Sequence, residues 1–384
     1  MDGVSPETGL LQEWPKEGPR LVWTGKGLGT GHATVVTSGD FIITLGDKNG
    51  SSTVMAFSVK DGKPLWATPI GKAGAPGWGG FEGSRSTPTI DPQTGLVFAV
   101  GQYGDAVALN LKDGKLVWQK NLVSDLSGPL PEWGYSQAPA LDGNKVLFTP
   151  GGAKGTVVAL DKKTGNVIWR STELTDSPHY SSIVIAEIAG VKQYIQLTDA
   201  NVAGIDADGK LLWKAPRPGK TAVIPTPVVH QNLVYVTSGY GVGCNCFEIT
   251  KSGNTFEAKQ LYANKMLDNH HGGVIGLGEH VYGHADSKGW TCQEIRTGKA
   301  IWQDKSFPKG SIAYADNRFI LRSEQGAGAI ALIEASPNGY KEHGRFNPPN
   351  RTDKNSWAHP VVSNGKLYIR DQDTLLCYDL SAKS

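Results

Sequence analysis

A hairpin unit that returns eight times at a spacing of about 40–50 residues, a second apolar hairpin within each period, and chain ends that each carry part of a further period predict an all-β, eight-bladed β-propeller. Each blade is expected to be a four-stranded antiparallel sheet. The ring is expected to close by the N-terminal strand completing the C-terminal blade, which removes two exposed sheet edges.

The unit is clearest in VVALDKKTGNVIWR, residues 157–170. Residues 157–160 are a short apolar strand, Asp161 can bond the backbone of the turn it opens, and Gly165 supplies the positive φ a tight turn wants. The strand that follows ends on Trp169, a large flat ring suited to wedging between stacked sheets. Close copies read AVALNLKDGKLVWQK (106–120), VAGIDADGKLLWK (202–214) and TCQEIRTGKAIWQD (291–304).

Marker tryptophans fall at Trp23, Trp66, Trp118, Trp169, Trp213 and Trp302, and two degenerate copies, CFEITKSGNTFEAKQLY (246–262) and AIALIEASPNGYKEHGRF (329–346), complete the count. Stretches such as APALDGNKVLFTP (138–150) and TPVVHQNLVYVTSG (226–239) read as the second hairpin of a blade. One such sheet cannot bury both faces until neighbours flank it. At the C-terminus, GKLYIRDQDTLLCYDL (365–380) lacks a tryptophan strand, and GPRLVWTG (18–25) is that strand at the other terminus. No linker stands out, so residues 1–384 are expected to form a single domain.

Composition narrows the function classes. The 38 basic and 36 acidic residues leave a formal charge of +2 without long runs of either sign, which argues against nucleic acid as a partner. No apolar run is long enough to cross a bilayer as a helix. The opening MDGVSPETGLLQEWP has no charged region followed by an apolar one, and its abrupt start is compatible with an export leader lying upstream. The four cysteines make no zinc spacing, and Cys244 and Cys246 are awkwardly placed to bridge each other.

The Ala-Leu-Asp-x-x-Thr-Gly-x-x-x-Trp unit at 159–169 and its relatives resemble the repeat of the pyrroloquinoline-quinone-like propellers. That family includes quinoprotein alcohol dehydrogenases and the lipoprotein scaffold of the outer-membrane barrel-assembly machine. DGVSPETGLLQEWPKEGPRLVW also resembles the opening of exported members. The resemblance implies a periplasmic or otherwise extracytoplasmic location and a ligand or a cell-envelope protein as partner. It implies for a quinone-dependent member two adjacent cysteines, a calcium site of Glu, Asn and Asp, and a tryptophan floor; here the nearest approach to the cysteine pair is GVGCNCF (241–247), with Asn245 between the thiols.

In a propeller, the segment leading from the outer strand of one blade into the inner strand of the next lies on one face and ends at the central funnel. Four of the eight lead-in segments, GKGLGTGHATVV, DSPHYSSIVI, LDNHHGGVIG and DKNSWAHPVV, bring in His32, His179, His270 with His271, and His359, five of the chain's nine histidines. Others add Glu82, Arg85, Trp133, Tyr135, Lys309 and Trp357, and middle turns add His284, Tyr240, Asp286 and Glu324.

Three functions fit this set. A binding propeller would hold a small polar, sugar-like or anionic ligand, or a protein partner, through His32, Arg85, Trp133, His270, His284, Lys309, Trp357 and His359. A carbohydrate-active or metal-assisted enzyme would use His179 or His271 as general base and Tyr135 or Glu82 as acid, with His179, His270, His271 and His359 able to ligate a divalent metal. A dehydrogenase using pyrroloquinoline quinone is the third and is disfavoured by the missing cysteine pair. Trp78, Phe81 and Trp133 on two long insertions could form a rim that stacks on sugar rings. Cys292 and Cys377, and Cys246 with a shift of one residue, sit where 157–170 has Ala159, so they read as buried inert thiols.

Overall fold

The structure, a computed structural model, describes residues 3–74, 76–77 and 82–382. They form eight four-stranded antiparallel blades, in chain order except at the closure, and a short extra N-terminal strand is added to blade seven. Blade three is Ala140–Asp142, Lys145–Phe148, Val158–Asp161 and Val167–Arg170. Blades one and two open at Val36–Ser38 and Thr89–Asp91; blades four to seven open at Val184–Ile188, Val228–His230, Val274–Leu277 and Gly310–Ala315. Blade eight takes Val361–Ser363, Lys366–Asp371 and Thr374–Asp379 from the C-terminus, and Leu21–Lys26 pairs antiparallel on the last of these, with Trp23 opposite Cys377. The expected closure is therefore the observed one.

Each of the eight apolar clusters draws its residues from two neighbouring blades. Val97 and Val107 of blade two, for example, share a cluster with Ile43 and Val54 of blade one, and Leu375 and Cys377 of blade eight share one with Ile42 and Met55. A sheet that is apolar on both faces finds cover only in a ring of this kind.

The repeat's turn glycine and its tryptophan turn out to be two halves of one contact. Trp118 of blade two donates its Nε1–H to the Lys162 carbonyl in the turn of blade three at 2.8 Å. A Cβ on Gly165 in that same turn would lie 2.8 Å from the Trp118 ring. Trp66 with Leu111 and Gly114, and Trp169 with Ala207 and Gly209, repeat the arrangement. Trp23 makes it across the closure, to Val59 at 3.1 Å and against Gly62. Trp302 keeps the carbonyl bond, to Ser336, without a glycine among the described residues against its ring, and Trp213 instead bonds Gln193 in its own blade. The outer hairpin of blade five, Gly243–Ser252 with Thr255–Asn264, is long and carries its turn away, so Gly253 has no atom near its Cβ position.

The residue paired with each marker ring is small: Ala159 with Trp169, Cys292 with Trp302, Cys377 with Trp23 and Cys246 with Tyr262. All four cysteines are free and buried, as expected for Cys246, Cys292 and Cys377. One element was not legible in sequence. Val4–Ser5 runs parallel to the inner strand of blade seven, and Glu7 accepts from the backbone N–H groups of Asn364 and Gly365 at 2.6 and 2.7 Å, tying blade seven to blade eight.

Candidate functional site

Lead-in segments and middle turns meet on one face around a cavity of about 410 Å³. Every lining residue lies outside a strand, so side chains rather than free strand edges face a ligand. Buried arginines hold these segments in place. Arg370 of blade eight donates to the carbonyls of Leu28, Ala33 and Leu45, which fixes the segment carrying His32. Arg322 of blade seven donates to the Ala358 carbonyl at 3.0 Å, between Trp357 and His359.

Five rings from four blades form a continuous ladder along one wall. Ring centroids are 4.4 Å apart from His32 to Trp357, 4.2 Å from Trp357 to His271, 3.5 Å from His271 to His270 and 4.6 Å from His270 to Tyr240. His271 stacks on Trp357 and lies against the His270 ring, so its plane is held from both sides, whereas Tyr240 meets His270 edge-on. Across the funnel, on blades three and four, Trp133 and Tyr180 lie 5.9 Å apart and supply aromatic surface.

The charges at the site are largely matched within it. Lys309 Nζ lies 2.8 Å from Asp286 and 3.9 Å from Glu324, and donates to His270 Nδ1 at 3.0 Å. Glu324 is also 3.9 Å from His271 Nδ1, a separation longer than a hydrogen bond. Burial, with Arg85 and Arg370 nearby, lowers the pKa of His32 to about 3. Burial first, then His271 and Lys309, lowers that of His270. His271 and His359 are lowered by burial too, against the pull of Glu324 on His271. At neutral pH the imidazoles are therefore uncharged. Burial disfavours ionisation of Glu324, but His271 and Lys309 outweigh it and its pKa is lowered.

The cavity brings together His32, Arg85, Trp133, His270, His271, Lys309, Trp357 and His359. It does not gather the rest. Tyr135 turns into the protein, donating to the carbonyls of Pro129 and Pro150 at 2.9 and 3.0 Å, and the neighbouring Ser136 lines the cavity instead. Burial pushes its phenol far above the ordinary range, so it stays protonated at neutral pH. Glu82 is exposed and outside the cavity. His179 faces a separate cleft, and its partner in sequence, Tyr180, takes the funnel position. His284 is buried at the place filled by Arg322 and Arg370 in the next two blades, which makes it an inter-blade residue.

The four-histidine metal set does not assemble. His359 Nε2 donates to the His271 carbonyl at 3.3 Å, His270 Nδ1 is taken by Lys309, and His179 Nδ1 accepts from Val223 N–H. Among the described residues no three His, Cys, Asp or Glu side chains are grouped to hold a metal ion. Trp78 and Phe81 lie outside the described residues. Sequence reasoning missed Tyr180, Gln325 and Asn355 at the cavity wall; only the residue parity of a lead-in segment would have separated Tyr180 from His179.

The profile of the family described as outer membrane protein assembly factor BamB matches residues 5–131 and 50–304. The chain belongs to this PQQ-like repeat propeller family. Among its relatives is the outer membrane protein assembly factor BamB of Kangiella koreensis, 26% identical over 223 residues, covering 54% of this chain and 48% of the relative. Quinoprotein alcohol dehydrogenase PedH of Pseudomonas putida is 28% identical over 167 residues, covering 41% of this chain and 26% of the relative. The chain spans about half the length of the assembly factors it matches. BamB from Moraxella catarrhalis shares the fold, with a TM-score of 0.66 at 15% identity over 95% of this chain and 98% of that one.

The adjacent-cysteine pair that the resemblance implies for a quinone-dependent member is not formed at the cavity. Cys244 and Cys246 are separated by Asn245, lie within the strand Gly243–Ser252 and are buried against Tyr235 and Leu267 rather than lining the cavity.

Proposed function

We propose that this PQQ-like propeller is an extracytoplasmic binding protein that holds a small polar, sugar-like ligand in its funnel. The observation that carries the reading is the ring ladder itself, a packed wall of uncharged imidazoles and Trp357 that lines a cavity of about 410 Å³ together with Trp133 and Tyr180. A pyranose has an apolar C–H face that suits aromatic surface and a rim of hydroxyls that suits neutral donors and acceptors. The volume lies in the usual range for small-ligand sites. A cell-envelope protein inserting a side chain into the same funnel is the other occupant this reading admits, and the assembly factors among the relatives motivate it.

Titration calorimetry with a panel of mono- and oligosaccharides tests the reading. Millimolar or tighter binding is expected, weakened about tenfold, or about 1.4 kcal/mol, in His271→Ala and Tyr180→Ala. Heat-silent titrations with every sugar, or binding indifferent to both substitutions, would count against it.

A second reading, an acid/base enzyme acting on the same ligand, is favoured by the uncharged His271 with the Glu324 carboxylate behind it at 3.9 Å. Turnover of a bound sugar that disappears in His271→Ala and falls in Glu324→Gln would support it; a ligand recovered unchanged would not.

A further inference from the structure

Beside the funnel lies a cleft of about 300 Å³, walled by Pro129, Leu130, Pro131 and Pro178 and carrying Glu132, Ser177, His179, Lys220 and Thr221. Tyr180 lines both cavities. Its ring lies 5.9 Å from Trp133 on the funnel side and 5.3 Å from His179 on the cleft side, and its hydroxyl accepts from Trp133 N–H at 3.3 Å. Trp133, Tyr180 and His179 therefore adjoin as a run of three rings from funnel to cleft. His179 Nδ1 accepts from Val223 N–H, so the ring proton sits on Nε2 as the donor His179 offers to the cleft.

The geometry points to one continuous binding site for a linear, neutral oligosaccharide, with the funnel holding one unit, the cleft the next, and Tyr180 as the wall between them. This rests on the funnel reading above. Neutrality follows from the pairing of Lys309 with Asp286 and Glu324, from the presence of both Lys220 and Glu132 in the cleft, and from the uncharged imidazoles. A sugar chain suits the site better than an extended peptide. Peptides are commonly recognised by adding a strand to a sheet edge, and the residues lining both cavities lie in loops and turns. The cleft instead offers rigid proline walls and scattered hydroxyl, imidazole and charged groups, which match the hydroxyls of a second sugar unit.

The test is calorimetry of the full chain against the N-acetylglucosamine, cellulose and maltose series, each from one to six units. For the series that binds, the dissociation constant is expected to fall at least tenfold from one unit to three and then to level off. In Lys220→Ala with His179→Ala, the ratio of affinities for three units and one is expected to drop to near one. Ser177→Trp, which fills the cleft from an exposed position, should do the same in a protein whose circular dichroism matches the wild type. Equal affinity at every length, or a length effect untouched by both variants, would overturn the continuous site while leaving the funnel reading in place. Absence of binding at every length would overturn both. Preference of the cleft for a proline-rich peptide over all three sugar series would overturn the oligosaccharide assignment.

Discussion

Replacing Gly62 by alanine places a methyl group where the closure of the ring is made. Gly62 has φ +69, and a Cβ built there lies 2.6 Å from Cε3 and 2.7 Å from Cζ3 of Trp23. The left-handed backbone costs a non-glycine residue about 1–2 kcal/mol. The indole must also withdraw by the better part of an ångström, which lengthens or breaks its 3.1 Å bond to the Val59 carbonyl at a cost of about 1 kcal/mol and loosens its packing. The expected loss is roughly 2–4 kcal/mol. Gly253→Ala is the internal control: its φ is +58 but nothing lies within 4 Å of the new methyl, so only the backbone part, about 1–2 kcal/mol, applies. Urea unfolding followed by tryptophan fluorescence measures both. In a Trp23→Ala background the cost of Gly62→Ala should shrink to that of the control. Losses for the two glycines within about 0.5 kcal/mol of each other, given the estimates above, would refute the latch as the source of closure strength.

Other outcomes follow from the same contacts. A histidine whose pKa is depressed on folding takes up its proton first in the unfolded chain. Its contribution is therefore complete above about pH 6.5 and is lost as pH falls, by about 1.4 kcal/mol per pH unit for each residue still neutral in the fold. With His32 at about 3 and His284 at about 4, both lowered chiefly by burial, urea midpoints should drop steeply between pH 6.5 and 4, and a flat profile would contradict their burial as neutral rings. Tyr135→Phe should lower stability by about 1–3 kcal/mol, since two carbonyls lose their donor, yet leave sugar affinity unchanged; a loss of affinity would return Tyr135 to the site. All four thiols should resist a thiol reagent in the folded protein and react together in denaturant, since burial raises the pKa of Cys292 to about 11 and of Cys246 and Cys377 to about 12.

The architecture was legible because a blade writes its own pattern. Strand, turn glycine and ring recur at a fixed spacing, and the unpaired strand at each terminus announces the closure. The site was legible only in part. The lead-in segments could be located from the repeat, but inside them neighbouring residues point in opposite directions, and sequence offers no parity to choose by. His179 and Tyr135 were therefore preferred over Tyr180 and Ser136, which face the cavity. Lys309 was expected to offer a cation to a ligand, whereas Asp286 from the preceding blade meets it at 2.8 Å, a contact that the repeat pattern does not encode. His284 looked like a rim residue until its equivalence to Arg322 and Arg370 placed it between blades. Val4–Ser5 is too short to carry any periodic signal.

The most direct test of the binding site is a crystal structure of the protein soaked with the tightest-binding sugar. Density for a ring between His271 and the Trp133–Tyr180 wall, with hydroxyls within hydrogen-bond reach of the imidazoles, is the expected result. A sugar found only on the outer strands, with the funnel unchanged at saturating concentration, would contradict it.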